Sequence, residues 1–228
     1  MTGLRELQRQ RARAAISGAA VRLFLERGFD EVGVAEVAAA AGVSKPTLFK
    51  YFPTKEDLAL HRIVDHREES ARVVRARPPG QPPLEALRRH FLDALARHDP
   101  ITGLNDHPEV VAYHRMVFST PGLAARLFHH LAQDEQALTA ALAEGSGADE
   151  LTCALLAGQI LAVQRVLARR TWQLLADGAR AADVEPRARA AAARAFAMLA
   201  AIPEATAIPE ITALPEAASP AGGASGPG

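Results

Sequence analysis

Apolar side chains at Ile16, Ala19, Ala20, Leu23 and Phe24 recur at i, i+3, i+4, i+7 and i+8, the spacing that gathers them on one face of an α-helix. Gly28 supplies its stop. Val34, Val37, Ala38 and Ala41 repeat the pattern over a second, shorter helix that ends at Gly42. Ser44 then caps a third, and Pro46 fits its first turn because the amide it lacks would have no intrahelical partner there. Thr54, with Asp57 three residues on, opens a fourth as a capping box. Helical periodicity returns at about 83–98, 108–118, 121–143, 149–176 and 185–200, broken by Pro82-Pro83, by "DPITGLNDHP", by Thr120-Pro121 and by "EGSGAD". No segment alternates as a strand would, so an all-α fold is expected. The longest apolar run, Leu151 to Ala168, carries Thr152, Gln159, Gln164 and Arg165 and reads as a core helix, not a membrane span.

After residue 200 the pattern changes. AIPEAT, AIPEIT and ALPEAA form a six-residue repeat made three times, followed by "SPAGGASGPG". A proline every sixth residue forbids a long helix, so 201–228 reads as an extended or disordered appendage. The alternative is a docking ligand anchored by Ile202, Ile208 and Leu214. The lone Cys153 cannot form an internal disulfide, and the polar N-terminus is no signal peptide, so a cytoplasmic location is expected. Net charge is +0, which removes any global attraction to nucleic acid and argues against a sequence-blind DNA-coating protein. Charge is unevenly placed, however. Residues 1–62 hold ten basic and seven acidic side chains, including all three lysines of the chain.

Those lysines lie in and beside "GVSKPTLFKYFPTKEDL", residues 42–58. A helix, a short turn and a second helix across "VAEVAAAAGVSKPTLFKYF" is the geometry that sets a recognition helix into a DNA major groove. Leu48 and Phe52, four apart, turn inward, leaving Lys45, Thr47, Lys50 and Tyr51 outward. The segment "AAVRLFLERGFDEVGVAEVAAAAGVSKPTLFKYFPTKEDL" resembles the DNA-binding domain of the tetracycline-repressor (TetR) family of bacterial transcriptional regulators. "DHPEVVAYHRMV" and the Ala/Arg-rich last helices are similar to actinobacterial members.

The resemblance implies an N-terminal three-helix helix-turn-helix head at 1–55, with a fourth helix from about 55 as the link, and a helical effector-binding and dimerisation domain at 56–200. It implies a homodimer that meets double-stranded operator DNA and a small-molecule effector, with no membrane partner. Ser44, Lys45, Pro46, Thr47 and Lys50 fall where the family meets base edges and nearby phosphates. Tyr51 and Lys55 fall where it grips the phosphate backbone. Two positions depart from the family. Gly33 stands in place of a capping hydroxyl and leaves only backbone amides for a phosphate, and Phe49 replaces a tyrosine, keeping only a stacking or thymine-methyl contact.

In the body, Ala154, Gly158 and Ala162 form a small-residue stripe expected at the dimer interface, and Phe91, His114, Met116 and Phe118 are assigned to an effector pocket, with core packing the alternative. All eight histidines lie between 61 and 130, but no metal site is assigned, since His61 and Asp65 alone do not make one and no cofactor is implied. An enzyme is the rival class. It lacks a G-x-S-x-G, and Gly145-Ser146-Gly147 fails the dinucleotide fingerprint because Glu150 stands where the third glycine belongs. A ligand-released repressor is therefore expected, with an activator or ligand-independent regulator as the alternative.

Overall fold

The computed structural model describes residues 2–64, 66–144 and 146–202. Among these residues the chain is all helical, with no strand. The head comprises α1 (Thr2–Arg27), α2 (Val34–Ala40), α3 (Lys45–Tyr51) and the linking α4 (Lys55–Val64). The body follows as α5 (Glu69–Ala76), α6 (Pro83–Ala96), a 3-10 turn (Pro100–Thr102), α7 (Pro108–Ser119), α8 (Pro121–Ala143), α9 (Glu150–Ala176) and α10 (Ala181–Ala200). The hexapeptide repeats from Pro203 onward, Asp65 and Gly145 lie outside the described residues.

Two apolar cores organise this order. In the first, Ile16, Ala20 and Phe24 of α1 meet Val37 and Ala38 of α2, Leu48 and Phe52 at α3, and Leu58 and Leu60 of α4. Tyr113 and Val117 of α7 and Leu123 of α8 close it from the body side. The second core joins α5, α6, α8, α9 and α10 around Leu87, Leu138, Leu156, Ile160 and Phe196. Two buried hydroxyls fasten α4 within this frame. Ser17 Oγ of α1 donates to the Leu58 carbonyl at 2.9 Å, and Tyr113 Oη of α7 donates to the Ala59 carbonyl at 2.8 Å.

Two elements differ from the pattern-based expectation. Helix α5 was not foreseen, because only Ala71 and Val74 of its eight residues are fully buried, too few for a recognisable stripe. Helix α10 starts at Ala181 instead of 185 and carries Pro186 inside it. The Asp106 carboxylate, 2.8 Å from the Ala181 amide, caps it from another part of the chain, which local sequence cannot reveal.

The loop between the 3-10 turn and α7 presses on α9 at Gly103. Its φ of +73° disfavours any side chain, and a Cβ there would overlap the Ala168 carbonyl and come within 2.9 Å of the Trp172 nitrogen. Gly103→Ala is expected to cost more than about 3 kcal/mol in urea unfolding. Gly80→Ala, equally left-handed at +81° but with open space around it, should cost only about 1 kcal/mol.

Candidate functional site

The turn between α2 and α3 is built from short-range signals. Gly42 takes φ +67° and donates its amide to the Ala39 carbonyl, while Val43 donates to Ala38. Ser44 Oγ accepts the Thr47 amide at 3.2 Å and lies 2.8 Å from Thr47 Oγ1, so both hydroxyls are fixed at the start of α3. Leu48 is fully buried, which pins the roll of the helix and leaves Lys45, Pro46, Phe49 and Lys50 exposed. Thr47 is half-buried. Tyr51, expected to face outward, is also half-buried and packs its ring against the head core.

Gly33 has a substitute for the missing capping hydroxyl. Its amide donates to Glu36 Oε2 at 2.8 Å, and the other Glu36 oxygen accepts from Arg27 at 2.6 Å. The Gly33 hydrogen bond first, and Arg27 second, hold this carboxyl below its ordinary range. The amide left for a phosphate is thus engaged in the free protein. A glutamate three residues after the cap was the signal for this box. Lys55 also folds back. Its ammonium stands 4.5 Å from the Phe29 ring centre and 3.4 Å from the Asp30 carbonyl, across the α1–α2 corner.

Behind the head, α4 enters through the expected box: the Thr54 amide donates to Asp57 and the Asp57 amide to Thr54 Oγ1. Asp57 has a second partner that local sequence does not disclose. Arg126 of α8 grips it with Nε at 2.9 Å and Nη2 at 3.2 Å. Burial alone would raise the Asp57 carboxyl, but the Arg126 and Thr54 hydrogen bonds together hold it below the ordinary value.

A cavity of about 490 Å³ lies in the body between α4–α5, α6, the 3-10 turn, α7, α8 and α9. Phe91, His114 and Phe118 line it as expected; Met116 does not. One helix cannot turn residues i and i+2 to the same side, so Met116 packs on the head core while His114 and Phe118, four apart, share the cavity wall. The wall also includes Trp172, Leu161, Leu127 and Phe128. At the α4–α5 end, Glu69 accepts from His66 Nδ1 at 2.7 Å and pairs with His90 Nε2 at 3.2 Å, which holds its carboxyl far below the usual range. Ser70 donates to Gln164 beside them. Nothing in the local sequence announced this polar end, whose parts come from four helices.

Gly158 turns toward α8, where a Cβ would stand 3.6 Å from Glu135 Oε1. The small-residue stripe expected to meet a second copy therefore serves α8 at its centre, with Ala154 and Ala162 half-buried on either side. The outward ridge of α9 is instead Leu151, Leu155 and Val166, at 67%, 52% and 61% exposure.

A capped recognition helix with a fixed roll, presented by a compact four-helix head, defines a helix-turn-helix DNA-binding protein. The sequence model for "Bacterial regulatory proteins, tetR family" matches residues 16–61. The chain is 31% identical over 180 residues to the HTH-type transcriptional regulator TcmR of Streptomyces glaucescens, covering 77% of this chain and 79% of that one. It is 34% identical over 97 residues to the HTH-type transcriptional activator FasR of Mycolicibacterium smegmatis, 41% of this chain and 44% of that one. Among solved structures, NalD of Pseudomonas aeruginosa shares the fold with a TM-score of 0.53 at 18% identity, over 82% of this chain and 97% of that one. The chain belongs to the TetR family of bacterial transcriptional regulators, and it is a DNA-binding regulator of transcription.

The Asp57–Arg126 pair has a pH signature. A carboxyl held low in the folded state stabilises the fold above its unfolded value near about 4, and that contribution is lost as pH falls through the lower folded value. Arg126→Met, by leaving a part-buried carboxylate unpaired, is expected to cost about 1–3 kcal/mol at pH 7. In urea unfolding at a series of pH values, the gap between the two proteins should shrink below about pH 4, where Asp57 becomes protonated in both. A gap independent of pH would assign Arg126 to packing alone.

Proposed function

We propose that the protein is a ligand-responsive repressor which holds a near-palindromic operator as a homodimer and releases it when a small, largely apolar molecule fills the body cavity. One observation carries this reading: α8 is shared between the two jobs. Its Leu127, Phe128 and Leu131 line the cavity, while Arg126, about a quarter-turn away, holds the first turn of α4. Ile63, near the other end of α4, lines the same cavity. A molecule that moves α8 or Ile63 thereby moves the helix on which the head is carried, and the spacing of two heads on DNA follows.

On the operator, Lys45 and Lys50 with Ser44, Pro46, Thr47 and Phe49 form the groove-facing surface, while Tyr51, Lys55 and the Gly33 amide flank the phosphates. Lys55 would leave Phe29 to reach one, so its charge serves affinity and its aliphatic stem serves the α1–α2 corner. The second copy is assigned to the Leu151, Leu155 and Val166 ridge of α9 with Met198 of α10, an exposed apolar surface on adjacent helices. Helix α9 is long and apolar enough to cross a membrane. We assign its apolar outer face to the partner copy and its place to the cytoplasm, beside the DNA.

Selection of binders from random duplex DNA is expected to enrich a two-fold symmetric motif with half-sites about one helical turn apart, roughly 34–36 Å. Lys50→Ala should relax preference at one base pair per half-site, a loss of about 1–3 kcal/mol of discrimination. Lys55→Ala should weaken all sequences alike and leave the motif unchanged. An enriched motif without symmetry would remove the dimeric-repressor reading.

A further inference from the structure

His114 is the group in the cavity whose chemistry is unspent. It is only 8% exposed, yet among the described residues no hydrogen bond or ion pair reaches its imidazole. Its neighbours are rings. Phe118 stacks on it at 6.0 Å with 19° between planes, Trp172 meets it edge-on at 6.4 Å, and Tyr113 lies tilted at 5.8 Å. Phe118 and Trp172 in turn meet at 5.1 Å, with the Arg169 guanidinium 5.2 Å from the Phe118 ring centre. Burial in this ring cluster pushes the imidazole down to about 4, so at neutral pH it is an uncharged group with one donor and one acceptor nitrogen.

A buried polar group without a partner is costly, and a cavity occupant that supplies one is rewarded. The surrounding walls favour flat π-systems, which gain from offset and edge contacts with Phe118 and Trp172. A carboxylate placed here would be stripped of water in an apolar corner facing a neutral imidazole, and an ammonium likewise. The charged groups of the cavity lie elsewhere, with Glu69 already saturated by His66 and His90 at the α4–α5 end.

We propose that the effector is a neutral, planar aromatic molecule bearing a hydroxyl or ketone oxygen, and that His114 recognises that oxygen while the rings lie against Phe118 and Trp172. This rests on the reading of the cavity as the effector site and adds the class of ligand and the residue that selects it.

Equilibrium dialysis of the full chain, without DNA, against 2-naphthol, naphthalene and 2-naphthoate separates the contributions, since the three share one ring system and differ in the polar group. The unmodified protein should bind 2-naphthol at least tenfold more tightly than either of the others. His114→Phe, which keeps an aromatic ring of similar size, should lower 2-naphthol to the level of naphthalene and leave naphthalene unchanged. Met116→Leu, on the opposite face of α7, should change neither. Equal affinity for 2-naphthol and naphthalene, tightest binding of 2-naphthoate, or no binding of 2-naphthol overturns the proposal, and these comparisons stand on the unmodified protein even if His114→Phe fails to fold. Operator release is measured separately. Selective 2-naphthol binding with the operator still held would support the role of His114 while counting against ligand-driven release.

Discussion

The constraint on which the rest depends is that one helix, α8, must satisfy two neighbours at once. Leu127, Phe128 and Leu131 face a cavity, and Leu123, Arg126 and His130 face the underside of the head. Arg126 closes two hydrogen bonds on Asp57, a residue already committed to capping α4. A rotation or slide of α8 large enough to admit a bulky occupant cannot leave both contacts unchanged, because packed helices shift between discrete arrangements instead of deforming smoothly. Ser17 and Tyr113 add hydrogen bonds to consecutive α4 carbonyls, so α4 is held from three sides and moves with what holds it.

The head, by contrast, is stiff for local reasons. Ser44 caps α3, Leu48 and Phe52 fix its roll, and Glu36 and Arg27 join α2 to the end of α1. Lys55 over Phe29 fastens the base of α4 to the same corner. A recognition helix of seven residues has too few hydrogen bonds to stand alone. It holds its shape because each end is tied, and it is free to present Lys45 and Lys50 because everything apolar points the other way.

These contrasts explain what was legible in the sequence. The head was read closely because its determinants are near in sequence: the Ser44 cap, the Thr54–Asp57 box and the i, i+4 pair Leu48–Phe52 all lie within four residues of their partners. The body was legible only as helices and breaks. The Glu69 array draws His66 and His90 from opposite sides of a loop and a helix start, and Arg126 reaches Asp57 across 69 positions. Helical phase misled in two places. Met116 was placed with His114 although two residues on a helix point apart, and Gly158 was given to a second subunit although α8 approaches there. Small residues mark close approach, but not which neighbour approaches.

Coupling between head and cavity is reciprocal if it exists, so it can be read without knowing the effector. Trp172 is the only tryptophan in the chain and forms part of the cavity wall. Its emission should be followed while a selected operator duplex is titrated onto the protein. Operator binding at α3 is expected to shift Trp172 emission in the unmodified protein and to leave it unshifted in Arg126→Met at matched occupancy of the DNA. An emission that ignores operator binding in the unmodified protein, or a shift that survives loss of Arg126, would contradict transmission through α8.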